Sequence, residues 1–450
     1  MSTTTPDLDR YDSIRRIIDG GAVKRASRML NALSPGEIAH LLESLPPEER
    51  AILWDLVDPD LDGEILVQVT DDVREFLISQ MDRSELLSAA EGLDLDDLAD
   101  LIEELPRTIT SQVMASLDSQ HRQRLEAVLS YPEDTAGHLM NTDTVTVRPE
   151  VTLEVVLRYL RQLGDKVPAD TDSLIVVNRQ DKYLGILKLA ALVSHDISDS
   201  VAEVMTLTVQ PFQAMADKAD VARQFEQHDL MSAPVIDDSG ILLGRITIDD
   251  IVDVIREEGE HQFMSQAGLS EDEDMFAPVM LSTRRRALWL GVNLITAFMA
   301  SWVIGLFEAT IDRVVALAVL MPIVASMGGI AGSQTLTLTI RGIALGQLSS
   351  SNTRWLILKE LAVGSINSLI WAFVVAVIAG YWFDDIQIAF LIAAALSINL
   401  VIAAITGTTL PILLDKMGID PALAGSVLLT TVTDIVGFFA FLGLATIFLL

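Results

Sequence analysis

The chain has 450 residues, with 31 Lys and Arg against 63 Asp and Glu, a formal net charge of −32, and no cysteine. The charge is unevenly placed: residues 1–286 carry 26 basic and 55 acidic residues, a net −29, and the remainder is nearly charge-free. Such acidity excludes nucleic acid as a partner, because phosphates need Lys and Arg, and the missing cysteines exclude disulfides and thiolate metal sites.

The first stretch, MSTTTPDLDRYDSIRRIIDG, has no apolar core and does not read as a signal peptide. A helical region follows. LSPGEIAHLLESLP at Leu33 recurs as LDLDDLADLIEELP at Leu93, each with apolar residues at three- and four-residue spacing behind a helix-start signal. Helical hairpins stacked into a small superhelix are expected over residues 1–134. Next come two stretches that align without gaps: SLIVVNRQDKYLGILKLAALV at Ser173 and SAPVIDDSGILLGRITIDDIV at Ser232. Each reads as strand, turn, strand and helix start, so 135–256 is a tandem of two similar units. Residues 257–285 read as a connecting helix and a linker broken at LSEDEDMFAP.

A bilayer core of about 30 Å needs about 20 apolar residues in a helix. Five stretches within 286–450 qualify: 287–307, 314–340, 361–382, 387–414 and 422–450. The fold class is therefore multi-domain: an all-α N-terminal domain, an α/β pair and an all-α membrane domain of five helices. Basic residues collect on one side (Arg284, Arg285, Arg286, Arg341, Arg354, Lys359, Lys416), and the opposite loops hold Glu308, Asp312 and Arg313, then Asp384 and Asp385. The positive-inside rule puts the N-terminal region in the cytoplasm and the C-terminus outside, in a multi-pass protein of the cytoplasmic membrane.

Asp434 is the one charged residue between Pro421 and Leu450. A charge in a span costs roughly 2.5–3.5 kcal/mol on insertion scales and normally faces a bundle interior or water. Ser426, Thr430 and Gly437 share its helix face. The second span adds MPIVASMGGIAGSQTLTLTIRG, where Gly328 and Gly329 allow close backbone approach and Ser333 and Gln334 supply oxygens; the fourth adds Asn399, Thr406, Thr408 and Thr409. A structural Asp bonded to another helix is the plain alternative. No Lys or Arg lies deep in a span to pair with it, so a cation is the better partner. One carboxylate among hydroxyls suits Mg²⁺, which keeps much of its water; the scattered histidines do not suit softer metals.

In the soluble part, Asp96 and Asp100 share a helix face, as do Asp249 and Asp253, or Asp250 and Asp253. Like charges on facing surfaces repel, and bridging divalent ions reverse that. Thr247 and Asp250 form a Thr-x-x-Asp spacing, where the first repeat has Lys188 and Ala191; the tandem resembles a cystathionine-β-synthase pair, and that resemblance implies the ribose and phosphate of an adenine nucleotide such as ATP at the second copy alone.

The helical block LDLDDLADLIEEL, the tandem pair, the MGGIAGSQTLTLTIRG block and the PALAGSVLLTTVTDIVG block occur in one order. Together they resemble the MgtE family of magnesium channels, with the tandem resembling a cystathionine-β-synthase (CBS) pair. The resemblance implies a homodimer whose pore runs between second and fifth membrane helices, closed by Mg²⁺ bound to the cytosolic domains. Carried over by residue, Asp434 matches the pore aspartate and Asp420 an acidic position at the cytoplasmic mouth. Glu64, Asp96, Asp100, Asp229, Asp250, Asp253 and Glu258 match Mg²⁺-sensing positions. Ser426, Thr430, Gly437, Gly328, Gly329, Ser333 and Gln334 are the expected pore lining. Ile330 and Ser333 stand where many members have Asn, and His261 and Gln262 where others are acidic, so the resemblance implies an altered pore mouth and a weakened sensing site. Rival readings are a carrier coupled to Na⁺ or H⁺ and a membrane-anchored nucleotide sensor without transport. No nucleophile–base constellation points to an enzyme.

Overall fold

The computed structural model describes residues 23–91, 93–168, 171–270, 272–349 and 351–449. The N-terminal stretch read as lacking a signal peptide falls outside them. The chain divides into two compact units: residues to 259 together with 272–278, and residues 260–271 together with 279–449.

The first unit begins with short helices: α1 (Val23–Leu30), α2 (Pro35–Glu43), α3 (Pro47–Trp54), α4 (Asp62–Leu66), α5 (Asp71–Gln80), α6 (Arg83–Glu91), α7 (Leu95–Glu104), α8 (Arg107–Ser116) and α9 (Ser119–Val128). Their starts follow the chain's own signals. Ser34 accepts from the Glu37 amide while Glu37 accepts back from the Ser34 amide, closing a capping box on α2. The apolar stripes meet in one core that includes Leu42, Ile65, Leu77, Leu98 and Leu125. A repeated device closes three helix ends, those of α2, α4 and α8. Arg50 Nε donates to the Leu42 carbonyl and Nη2 to Leu45; Arg74 does the same to Leu66 and Val69; Arg122 to Met114 and Leu117. Each Arg thus reaches back eight and five residues to carbonyls that a helix C-terminus leaves unpaired.

The two gapless repeats fold alike. In the first, β1 (Thr146–Val147) pairs parallel with β2 (Ser173–Val177), and β2 pairs antiparallel with β3 (Tyr183–Lys188). In the second, β4 (Phe212–Gln213), β5 (Ser232–Ile236) and β6 (Leu242–Thr247) repeat that order. The register matches too: Val176 opposes Gly185 as Val235 opposes Gly244, and the ladder shifts one residue later in both. The glycines admit a crossing backbone. A methyl on Gly185 would sit 2.7 Å from the Thr206 carbonyl oxygen, and one on Gly244 the same distance from that of Asn141. So the segment before the first repeat crosses the hairpin of the second, and the segment before the second crosses that of the first. Helices α10 (Leu153–Leu163), α11 (Leu189–Ser194), α12 (Val201–Val204) and α13 (Lys218–His228) complete the pair, and α14 (Ile248–Ser265) leaves it.

The second unit holds α15 (Val279–Gly305), α16 (Glu308–Arg313), α17 (Ala316–Ala344), α18 (Thr353–Phe383), α19 (Ile386–Lys416) and α20 (Pro421–Leu449). Five of these, all but α16, are long and apolar enough to cross a membrane. They extend past the apolar stretches read from sequence, because a helix continues beyond the hydrocarbon once its ends reach polar surroundings; Arg284–Arg286 accordingly lie inside α15. Helix α19 is the centre of the bundle: 56% of its apolar window is buried, against 11% for α15 and α18.

Candidate ion pathway and acidic clusters

Helices α17 and α20 flank an open groove of about 780 Å³ lined by Ala325, Ser326, Gly329, Ile330, Ser333, Gln334, Thr337, Thr430 and Asp434. Its chemistry follows from spacing. On α20, Thr430 and Asp434 stand one turn apart. On α17, Ser326, Gly329, Ser333 and Thr337 follow at three and four residues. Asp434 is the only ionisable side chain in this lining. The lining supplies hydroxyl, amide and carboxylate oxygens and no cation, so it suits a hard, oxygen-binding ion.

Of the residues read as pore lining, Gly329, Ser333, Gln334 and Thr430 border the cavity with Asp434. Gly328 and Gly437 stand instead against Asn399 of α19. Ser426 is half-buried, and its carbonyl accepts from the Thr430 hydroxyl at 2.9 Å. Asp420 heads α20, accepting from the Ala422 and Leu423 amides at 2.8 and 3.0 Å. His261 Nε2 lies 3.2 Å from its Oδ2.

A carboxylate cluster forms in the first unit. Burial, helped by the facing Asp250 carboxylate and by Asp97, pushes Asp96 up to about 8. Burial and Asp249 push Asp250 to about 7, against two hydrogen bonds from Thr247 that pull it down. Asp97 rises to about 6 through burial and its neighbours Asp94, Asp100, Asp249 and Asp253. These groups come from α7 and the start of α14, so like charges meet where the helical domain faces the CBS pair. Three of them gather more than sequence spacing shows. Asp97, one residue from Asp96, joins the cluster; Asn141 Nδ2 donates to Asp96 Oδ1 at 3.3 Å; and buried His138 reaches Asp100 Oδ1 at 3.2 Å. Residues 138 and 141 precede the first repeat, and only the crossing of that segment brings them here.

Asp253 and Asp100 are exposed, and Glu258 is half-buried on α14. Glu64 is exposed on α4, and Asp229 is exposed and left-handed (φ 51°) at the end of α13. Thr247 donates through its hydroxyl to Asp249 and, at 3.0 Å, to Asp250. Among the described residues no group of three or more His, Cys, Asp or Glu is set as a ready metal cage. Burial and mutual repulsion raise these facing carboxyls, and a divalent cation between them would favour their charged forms.

A family model described as MgtE intracellular N domain matches residues 33–134, the CBS domain model matches 136–197 and 201–257, and an MgtE model described as divalent cation transporter matches 321–444. The chain is similar end to end to the magnesium transporter MgtE of Thermus thermophilus, 29% identical over 97% of this chain and 98% of that one. It belongs to the MgtE family. The Bacillus subtilis magnesium transporter MgtE is 25% identical over 96% of both chains. A crystal structure of the cytosolic domain of the Mg²⁺ channel MgtE in complex with ATP is 29% identical and covers 54% of this chain and 99% of that one, with a TM-score of 0.49. MgtE proteins are transporters rather than enzymes, and this one is a multi-pass membrane protein with an N-terminal helical domain, a CBS pair and five apolar helices.

Proposed function

We propose that the chain conducts Mg²⁺ through a homodimeric pore of the cytoplasmic membrane, with the helical domain and CBS pair in the cytoplasm and the C-terminus outside. The observation that carries this is Asp434. It is the sole ionisable group in a cavity of hydroxyls and amides between α17 and α20, at a depth where a charge without a role is costly. The name carried by the full-length relatives supplies the ion.

In this reading cytosolic Mg²⁺ closes the pore. At low Mg²⁺ the carboxylates of Asp96, Asp97, Asp249 and Asp250 repel, and α7 and α14 separate. At high Mg²⁺ hydrated ions bridge Asp96 to Asp250, with Asp100 and Asp253 at the rim, and the closed population grows in proportion to its tighter binding. Glu64, Asp229 and Glu258 serve as further sensing positions, and Asp420 as the acidic mouth. ATP at Thr247 and Asp250 is a second regulator, in the second repeat alone. The experiment is current recording from the reconstituted protein. A conducting pore gives a current that reverses at the Mg²⁺ equilibrium potential and ignores Na⁺ and pH gradients. A reversal that follows either gradient establishes a coupled carrier instead.

A further inference from the structure

The geometry points to Asn399 as a positioning residue that sets the width of the ion cavity by wedging the two pore helices at a fixed separation. The inference rests on the cavity beside Asp434 being the conducting path. Asn399 lies on α19, outside the lining, and is 0% exposed. Its Nδ2 donates to the Val324 carbonyl of α17 at 2.8 Å. That acceptor fixes which amide atom points there. Its Oδ1 is buried with no hydrogen-bond partner among the described residues.

The same amide touches both helices that line the cavity. A methyl at Gly328 of α17 would come to 2.2 Å from Nδ2, and a methyl at Gly437 of α20 to 2.7 Å. Both are closer than carbon atoms approach, so glycine is required on both sides for Asn399 to fit. The two glycines sit beside the working surface. Gly328 precedes Gly329 in the cavity wall, and Gly437 follows Asp434 by three residues, one turn of helix. The amide clasped between these two glycines therefore spaces α17 and α20 beside Asp434 and Gly329, while Leu429 against Gly332 and Leu336 against Gly425 space the same helices further along. A fully buried amide among membrane helices is a costly choice for packing alone, where an apolar residue avoids its desolvation cost. Its value lies in fixing a width, which a cavity that passes a partly hydrated ion must hold.

The test uses the full-length protein in liposomes, with Mg²⁺ and the larger Ca²⁺ offered separately, and three variants: Asn399→Ala, Gly437→Ala and the double variant. Asp434→Ala is run beside them. Removing the wedge lets the helices close or slide, so Asn399→Ala changes the Ca²⁺-to-Mg²⁺ flux ratio by about tenfold, the scale that a single misplaced group exerts on discrimination. Gly437→Ala collides with Asn399 and loses about tenfold in Mg²⁺ flux. The double variant removes the collision and refills the gap, and recovers both flux and ratio; a purely structural role does not move the ratio or allow this rescue. If Asn399→Ala does not fold, Asn399→Ser shortens the wedge while leaving a small hydroxyl in its place. An unchanged ratio in the truncated protein, or a double variant no better than Gly437→Ala, overturns the inference while leaving the path intact. Unchanged flux in Asp434→Ala overturns the path and the wedge together.

Discussion

Arg50 Nη1 lies 2.9 Å from Asp274 Oδ2, with both side chains closed to solvent (1% and 4% exposed). The other two guanidinium nitrogens hold the Leu42 and Leu45 carbonyls, and the Asp274 amide donates to Asp72 at 3.1 Å. Arg74 and Arg122 close their own helix ends in the same manner, so Arg50 differs in what its third nitrogen grips: the segment five residues before α15. Asp274→Ala leaves a buried cation without its partner and should cost about 3–5 kcal/mol. The check is thermal unfolding with amide exchange read across Leu41–Leu45. Replacing both partners, Arg50→Met with Asp274→Leu, should cost less than the single change, since no charge is then stranded.

The acidic cluster predicts a pH dependence of definite sign. Asp96, Asp97 and Asp250 have folded-state values of about 8, 6 and 7, above the ordinary carboxylate value of 3.8. The folded protein therefore binds more protons than the unfolded chain between about pH 4 and pH 8, and its stability falls as pH rises through that window. Without divalent ions, amides of α7 should show lower protection, relative to the intrinsic base-catalysed exchange rate, at pH 8 than at pH 5. Added Mg²⁺ should restore protection at pH 8 and matter little at pH 5, where protons already occupy the carboxylates. Equal protection at both pH values without metal contradicts the cluster.

Neutralising the bridge tests its role in gating. Asp96→Asn with Asp250→Asn removes two facing charges and the ligands for a bridging ion. Mg²⁺ flux should persist, and the cytosolic Mg²⁺ concentration that halves it should rise by about tenfold or more, the change that follows from losing about 1.4 kcal/mol of differential binding. An unchanged midpoint removes these residues from the sensor.

Asp420 has two separable jobs. It caps α20 through two backbone amides and presents a charge beside His261. Asp420→Ser keeps a capping oxygen and should keep the melting temperature. Asp420→Ala should lose about 1 kcal/mol. If both lower Mg²⁺ flux alike, the charge matters for entry; if flux follows stability, only the cap does.

Periodic features were legible in the sequence. The gapless repeats gave two hairpins with equal registers, and the apolar runs gave five spans, because both patterns are local. The Arg caps were not legible: each reaches backbone carbonyls eight and five residues back, and a carbonyl leaves no mark on side-chain pattern. Asp434 and Thr430 share the cavity one helical turn apart, and Ser333 and Gln334, expected there from the family resemblance, border it too; yet Ala325, Ser326 and Ile330 line it with them, and nothing polar marks the first and last of these. Gly328 and Gly437 face Asn399 because three helices converge there, which one helix's periodicity does not encode. His138 and Asn141 join the acidic cluster only because the segment before the first repeat crosses to the second, and Asp97 joins it from α7 beside Asp96.

The most direct measurement is Mg²⁺ flux into liposomes bearing the wild-type protein or Asp434→Ala, with Mg²⁺ on the cytosolic face low and then high. The account predicts strong flux in the wild type at low Mg²⁺, shut at high Mg²⁺, and no flux in the variant under either condition. Equal flux in both proteins would contradict it and reduce Asp434 to a packing residue.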